Sequence, residues 1–268
     1  MSEKILYYPG CTLKSDAKEF DETSKKLFKY LGYDIKELDR WNCCGTVYSL
    51  ASDNVMFHVA SFRNLIRAKE EGADKILCMC SMCYNTLKRV DLLVKRDKEK
   101  MDKINDLMYE EETKYDGGVE VIHGLHLLKE FGFDKLGQMV KKKIGKKVAP
   151  YYGCMLLRPE EVALDDPENP HILSDLIKAI GGEPVEFPFM NECCGSYQVV
   201  NEKEFVIERA HKILKSAIDR GAEILITSCP LCHYNLKNFQ DFIKENYPDF
   251  TGIEVKYFTE LICEALSI

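Results

Sequence analysis

Two adjacent cysteine pairs, each followed by glycine, organise this 268-residue chain: Cys43-Cys44-Gly45 and Cys193-Cys194-Gly195. A lone cysteine precedes each pair and a C-x-x-C follows it. In the first half Cys11 leads with 31 residues between, and Cys80-Ser-Met-Cys83 follows after 35. In the second half Cys154 leads by 38, and Cys229-Pro-Leu-Cys232 follows after 34. Ten of the twelve cysteines therefore spell C…CC…C-x-x-C twice, the mark of an internal duplication.

The flanks repeat with the cysteines. Lys4-Ile-Leu-Tyr-Tyr-Pro-Gly-Cys11 matches Lys147-Val-Ala-Pro-Tyr-Tyr-Gly-Cys154, and Glu71-Gly-Ala-Asp-Lys-Ile-Leu matches Arg220-Gly-Ala-Glu-Ile-Leu-Ile at an offset of 149. Cys83-Tyr-Asn-Thr-Leu-Lys88 echoes Cys232-His-Tyr-Asn-Leu-Lys237. At that offset Cys78 falls opposite Thr227, outside the shared pattern. We read Cys78 and Cys263 as small buried apolar residues.

Each half reads as alternating strands and helices. Strands are predicted at Ile5–Tyr8 and Val148–Tyr152, at Tyr33–Leu38 and Pro184–Phe189, at Lys75–Met79 and Glu223–Thr227, and at Val119–Ile122 and Ile253–Tyr257. Helices are expected over Asp21–Leu31 and Ser174–Ile180, from near Cys83 and Cys232, and over Leu125–Phe131 and Leu261–Leu266. One apolar face recurs in both halves: Val55, Val59, Phe62 and Ile66, then Val206, Ala210, Ile213 and Ala217. Ser52 or Asp53 is placed to cap the first of these helices, and Asn201 with Glu204 forms a capping-box pattern for the second. The expected fold is α/β, in two pseudo-symmetric duplicated domains, each a small mostly parallel sheet flanked by helices. The basic run Lys141–Lys147 marks the boundary, giving domains 1–145 and 146–268. A charged helical insertion at about 91–116, read as a solvated arm, is confined to the first.

Composition narrows the partners. The net charge of −7 supplies no basic footprint for nucleic acid. No run approaches ~18 apolar residues, so no membrane span is expected. The amino terminus lacks the apolar core of a signal peptide, and a cytoplasmic chain is expected.

Disulfides fit poorly with five cysteines per half and no sign of secretion. Structural zinc takes four ligands and leaves one thiolate over in each half. A conventional iron–sulfur cubane also takes four. In an α/β layer these cysteines follow strand ends and precede helices, on the edge where open sheets place ligands. Helix N-termini there stabilise thiolates and sulfides. Adjacent cysteines in one site point to a cluster in which a thiolate bridges irons or one iron takes two thiolates. A zinc-bound scaffold remains the non-enzymatic rival.

The duplicated C…CCG…C-x-x-C resembles the cysteine-rich CCG domain. Tyr7-Tyr-Pro-Gly-Cys11, Cys80-Ser-Met-Cys83, Tyr152-Gly-Cys-Met-Leu-Leu-Arg-Pro159 and Cys229-Pro-Leu-Cys232 are similar to the heterodisulfide reductase B subunits, a family of methanogenic archaea with bacterial relatives. That resemblance implies two noncubane 4Fe–4S clusters. One would be held by Cys11, Cys43, Cys44, Cys80 and Cys83, the other by Cys154, Cys193, Cys194, Cys229 and Cys232. It implies reduction of the coenzyme M–coenzyme B heterodisulfide to two thiols, the disulfide lying between the clusters. It also implies electrons from a small ferredoxin-like subunit with cubane clusters and a flavin-containing subunit, with a hydrogenase or formate dehydrogenase module as a further partner. A related redox role, in fumarate reduction or in lactate or glycolate oxidation, is the alternative.

An anionic substrate needs cations near the cysteines. Arg158, four residues after Cys154, is the first candidate, followed by Lys14 and then Lys88 or Lys237. His233 stands opposite Tyr84, and His123 opposite Tyr257. A required ligand would recur in both halves, so these residues read as packing around the site. Trp41 reads as a shield or as core.

Overall fold

The computed structural model describes residues 3–46 and 54–268. Among them lie two four-stranded, all-parallel sheets, in two compact units, Met1–His126 and Leu127–Ile268. The first sheet contains β1 (Glu3–Tyr8), β2 (Tyr33–Glu37), β3 (Lys75–Cys78) and β4 (Glu120–His123), in the order β2-β1-β3-β4. Ile5 lies opposite Ile35, Tyr7 opposite Leu77, and Leu77 opposite Ile122. The second contains β5 (Lys147–Pro150), β6 (Glu183–Pro184), β7 (Ile224–Thr227) and β8 (Glu254–Tyr257), in the order β6-β5-β7-β8. Ala149 faces Leu225, which faces Val255. The duplicated α/β plan is thus present in both halves with one topology.

The helices of the first half are α1 (Gly10–Leu13), α2 (Lys18–Tyr30), α3 (Val59–Glu70), α4 (Ser81–Arg96), α5 (Lys98–Leu107) and α6 (Gly124–Phe131). Then come α7 (Phe133–Gln138), α8 (Ile172–Ala179), α9 (Lys203–Asp219), α10 (Pro230–Lys237), α11 (Gln240–Asn246) and α12 (Phe258–Leu266). The apolar stripe of α9 is buried throughout, at Val206, Ala210, Ile213 and Ala217. In its counterpart only Phe62 and Ile66 reach the core; Val55 and Val59 are half-buried. The reason is local. Val55–His58 forms a 3-10 turn, capped by Asn54, whose side chain accepts from the Met56 N–H at 2.9 Å. Three residues per turn rotates the stripe off the core-facing line. Ser52 and Asp53, the expected caps, lie outside the described residues.

Several expectations are corrected. The strand expected over Pro184–Phe189 shrinks to Glu183–Pro184, with one further bond from Val185 N–H to the Val148 carbonyl. Pro184 and Pro188 have no N–H to give, so the edge strand ends early. The Asn201–Glu204 box does not form: α9 begins at Lys203, and its N-cap Glu202 makes no side-chain capping bond. The insertion is no solvated arm. Ile104 and Tyr115 are fully buried, Tyr115 packs edge-on against Phe62 at 5.4 Å, and Glu111 pairs with Arg63 and Arg67 at 2.8 and 3.1 Å. In space, residues 127–145 go with the second unit. Gly137 on α7 approaches α8 so closely that a methyl group there would stand 3.1 Å from the Ala179 carbonyl oxygen, and the N–H groups of Lys141 and Lys142 both donate to Ala265. No helix among the described residues is long and apolar enough to cross a membrane.

A charged clamp fixes α1 and α2 to the edge of the first sheet. Lys14 and Lys25 approach Glu37 at 2.6 and 3.1 Å, Lys25 also pairs with Asp21 at 2.8 Å, and Asp21 accepts from the Tyr7 hydroxyl at 2.7 Å. Burial alone raises the Glu37 carboxyl, but the hydrogen bonds from Lys14 and Lys25 outweigh it and hold the group below its ordinary value. A carboxyl with a depressed folded pKa stabilises the fold above its unfolded value and loses that contribution as pH falls through the folded one. The clamp should therefore be intact above about pH 4.5 and weaken below it. We expect Glu37→Gln to flatten the acid limb of a plot of urea midpoint against pH; an acid slope equal to that of the wild type would refute the assignment.

Candidate functional site

Both sheets reverse strand order beside their first strand, at β1/β3 and at β5/β7. Open α/β sheets hold ligands outside the carboxyl ends of strands at such a switch. The cysteines stand there. Cys11 lies in α1 directly after β1, and Cys43 and Cys44 follow β2. Cys80 is the N-cap of α4, after β3, with Cys83 in the first turn. In the second unit Cys154 follows β5, Cys193 and Cys194 come after β6, and Cys229 caps α10 after β7.

In the first unit the five thiols touch in sequence. Cys11 Sγ lies 3.9 Å from Cys43 Sγ, and hydrogen bonds continue from Cys43 to Cys44, from Cys44 to Cys83, and from Cys83 to Cys80. The second unit repeats three of the four links: Cys154 to Cys193, Cys194 to Cys232 at 3.5 Å, and Cys232 to Cys229. Burial also repeats. Cys44, Cys80 and Cys83 are buried, as are Cys194, Cys229 and Cys232; Cys11, Cys43 and Cys193 are exposed and Cys154 is intermediate. Among the described residues no three or more His, Cys, Asp or Glu side chains are set to hold a single metal ion. The first unit's thiols form an extended file of five; the second unit's follow the same order as a linked pair and a linked trio.

Crowding splits their acidities. Cys43 falls to about 2, first because Cys11 and then Cys44 donate to its sulfur. Cys193 falls to about 6, first through the hydrogen bond from Cys154, with help from the Gly195 N–H and the Arg209 charge. Their neighbours move the other way. Cys44 is pushed up to about 12 by its bond to Cys43, and Cys11, Cys154, Cys83 and Cys232 all rise for the same kind of reason, reinforced by burial. One thiolate is favoured, and each further one is opposed by the first.

The scaffold around the thiols is matched between halves. Gly10 and Gly153, with φ of +70° and +63°, lie against the second sulfur of each C-x-x-C; a Cβ would come within 2.9 Å of Cys83 Sγ and 3.3 Å of Cys232 Sγ. Tyr8 and Tyr151 donate to the backbone carbonyl just before each cysteine pair, Asn42 at 2.8 Å and Glu192 at 2.7 Å. Burial and the nearby thiols keep both phenols well above their ordinary pKa, hence protonated. Backbone N–H groups of Gly45 and Thr46 reach Cys43 and Cys44, and those of Gly195 and Ser196 reach Cys193 and Cys194. The helix after each C-x-x-C is tied to the loop after each pair: Thr86 to Thr46 at 2.9 Å, and Asn235 to the Ser196 carbonyl at 2.9 Å.

A histidine meets a tyrosine in both halves, with the partners exchanged and the ring geometry different. Tyr84 meets His123 edge-on at 5.7 Å, and His233 stacks on Tyr257 at 4.1 Å. His123 is buried, bonded to the Met79 carbonyl at 2.8 Å, and pushed down to about 3 by burial, so it is neutral at ordinary pH. Trp41 packs edge-on against Tyr8 and donates to Glu37 at 3.3 Å. Cys78 is fully buried at the end of β3, and Cys263 is buried in α12.

The sequence-derived cations differ in situation. Lys14 is committed to Glu37 and Asp21. Arg158 donates its backbone N–H to the Cys154 carbonyl at 3.0 Å, while its guanidinium, half-exposed, reaches Glu168 only at 4.0 Å. Lys88 is half-buried and Lys237 exposed. Sequence reasoning missed Arg209, which donates twice to the Cys193 carbonyl at 3.2 and 3.1 Å, and Asn235, whose amide reaches Cys194 Sγ at 3.4 Å. The tyrosine ties were missed too, although Tyr8 and Tyr151 sit three residues before the lone cysteines in both halves.

Residues 5–88 and 148–237 both match the cysteine-rich domain CCG. The chain is 28% identical to the 8-methylmenaquinol:fumarate reductase membrane anchor subunit of Wolinella succinogenes, over 100% of this chain and 94% of that one. It is 26% identical to the B subunit of the ferredoxin/F(420)H(2)-dependent CoB-CoM heterodisulfide reductase of Methanosarcina acetivorans, covering 98% and 89%. A protein of Archaeoglobus profundus named as like the heterodisulfide reductase B subunit is 27% identical, covering 97% and 89%. The fold is shared with a hypothetical protein from Helicobacter pylori at a TM-score of 0.80 and 13% identity, covering 99% of this chain and 49% of that one.

The two glycines against sulfur allow a controlled comparison. Gly72 has nearly the same φ as Gly10, +71° against +70°, but nothing lies within 4 Å of its missing Cβ. Gly72→Ala should cost only the left-handed strain, about 1–2 kcal/mol. Gly10→Ala adds the collision with Cys83 and should lower the urea midpoint further; equal losses would show that the sulfur contact is unimportant.

Proposed function

This chain belongs to the cysteine-rich CCG domain family, and from that premise we propose that it is the catalytic iron–sulfur subunit of a disulfide reductase of the heterodisulfide reductase type. The observation that supports this is the gathering of five thiols, in contact with one another in pairs and chains, in the same order at the switch point of each sheet. The donor set fits an iron–sulfur cluster rather than one ion. There are five soft ligands per half, three buried and two more open to solvent, on a backbone that already aims N–H groups at sulfur.

In this reading one noncubane 4Fe–4S cluster is held by Cys11, Cys43, Cys44, Cys80 and Cys83, and a second by Cys154, Cys193, Cys194, Cys229 and Cys232. Such clusters supply single electrons and iron atoms able to take a sulfur ligand. The reaction adds two electrons and two protons to one S–S bond and releases two thiols. The buried cysteines anchor. The more exposed ones leave one side of each site open to a substrate. Tyr8 and Tyr151 hold their protons and spend them on backbone carbonyls, so the protons of the product thiols come from solvent. Arg158, fixed beside Cys154 by its own backbone, is placed to receive an anionic end of the substrate. Lys14 serves the clamp on Glu37 instead.

The coenzyme M–coenzyme B heterodisulfide is the proposed substrate, because relatives spanning nearly the whole chain carry that activity in their names. Those relatives are subunits, and electrons are proposed to arrive from a ferredoxin-like subunit with cubane clusters and a flavin-containing subunit, with a hydrogenase or formate dehydrogenase module behind them. The Wolinella relative supports a second reading, a subunit of a fumarate-reducing complex.

Anaerobically purified protein should carry about eight iron atoms and matching sulfide. Because each half is its own compact unit, Cys43→Ser should remove about half of the iron and leave the rest. Reduced viologen should be oxidised by the heterodisulfide and not by fumarate. Arg158→Ala should raise KM for the disulfide with little change in kcat. Zinc without iron would overturn the reading, and viologen oxidation by fumarate alone would favour the second one.

A further inference from the structure

The duplication supplies an internal control: whatever differs between two otherwise matched sites is where their chemistry diverges. Tyrosine ties, glycine contacts and backbone N–H groups are the same in both. Among the positions that differ, two place donors on the second cysteine pair. At the offset of 149 that aligns Gly72 with Gly221 and Cys80 with Cys229, Arg209 stands opposite Ala60 and Asn235 opposite Thr86.

Arg209 reaches from α9 to the second cysteine pair. Its Nε and Nη2 donate to the Cys193 carbonyl at 3.2 and 3.1 Å, and Nη2 pairs with Glu192 at 2.7 Å. The guanidinium side chain is 19% exposed, whereas Glu192 is 48% exposed and better screened by water. Asn235 is fully buried and points its amide at Cys194 Sγ, 3.4 Å away. In the first half, alanine at 60 has nothing to donate. The Cys43 carbonyl is served by the neutral Asn42 amide at 2.8 Å and the Cys44 carbonyl by the Ser61 hydroxyl at 2.7 Å. The Thr86 hydroxyl bonds to the Met82 carbonyl at 2.7 Å and to Thr46. On the first half's matching helix, Arg67 reaches the Asn42 side chain and the Arg40 carbonyl and pairs with Glu111.

We propose that Arg209 and Asn235 make the second site the electron-holding one, so that the cluster on Cys154, Cys193, Cys194, Cys229 and Cys232 is reduced at the higher potential. The proposal rests on the reading of the ten cysteines as cluster ligands. A one-electron donor, such as reduced viologen, adds one negative charge to the site it reduces, and most of that charge spreads onto sulfur. A cation one residue from a ligating sulfur, and an N–H aimed at another, lower the energy of the reduced state relative to the oxidised one. Arg209 and Asn235 act through the cysteines and are positioning residues.

The test is a dye-mediated redox titration of the full chain, followed by electron paramagnetic resonance and visible absorption. The wild type should show two separate midpoints. Arg209→Gln should shift the upper one downward by at least tenfold in the one-electron equilibrium, about 59 mV. Arg209→Lys should retain most of it. Asn235→Thr should move the same midpoint downward, and R209A with N235T, the residues of the first half, should draw the two midpoints together. The Cys154→Ser variant, left with the first site alone, identifies the midpoint that must not move. A single wild-type midpoint, parallel movement of both, movement of the first site's midpoint, or no movement with iron content intact would overturn the proposal. A wild-type chain without iron would instead overturn the iron–sulfur reading, and the inference with it.

Discussion

Five thiols gathered this closely cannot all ionise unless positive charge lies among them. Each half faces that constraint in the same way. A single thiolate, Cys43 or Cys193, is favoured by the hydrogen bonds its neighbours give it, and those neighbours are driven toward the protonated state by its charge. The arrangement is expensive for a protein that needs only packing. Six of the ten sulfurs are buried, where a small apolar residue would cost nothing electrostatically. A cationic iron core would remove the conflict, since every ligand would then be a thiolate facing positive charge and metal binding would release the protons.

The rest of each half brings the thiols into contact. Parallel strands end on one edge, and the order reversal beside β1 and β5 opens a gap there. The lone cysteine and the C-x-x-C come from the two strands that border the gap. A side chain on Gly10 or Gly153 would fill the space that the last sulfur occupies. The tyrosine ties fix the backbone just ahead of each cysteine pair from the neighbouring strand's exit, so the outer and inner sulfurs keep their places. The exchanged Tyr84–His123 and His233–Tyr257 contacts show that the aromatic contact is kept while its chemistry is not: an imidazole stands on the helix in one half and on the strand in the other.

How much of this was legible depended on whether the signal was periodic or tertiary. Cysteine spacing and the 149-residue offset disclosed the duplication and set His233 opposite Tyr84, because a repeat compares a sequence with itself. Edges were misread where one chemical detail decides. Two prolines cut short the expected Pro184–Phe189 strand, and Glu202 took the cap position from Asn201. The charged insertion read as solvated because its anchors, Ile104, Tyr115 and Glu111, are few and only tertiary contact shows them buried. Arg209 and Asn235 lay in plain view of the offset, but an arginine opposite an alanine has no meaning until its guanidinium is seen on the Cys193 carbonyl.

That last comparison bears on why a duplicated chain would keep its copies unequal. Two identical sites would share an incoming electron evenly and give it no direction. The shared part of the plan, thiols and glycines and tyrosines, sets what each site can hold. The divergent part lies one bond outside, in residues that touch a ligand's carbonyl or sulfur without replacing it. Substitution there alters charge while leaving the thiol file intact, so the two halves can differ in potential without differing in architecture. Ala60 and Thr86 on one side, and Arg209 and Asn235 on the other, are differences of this kind.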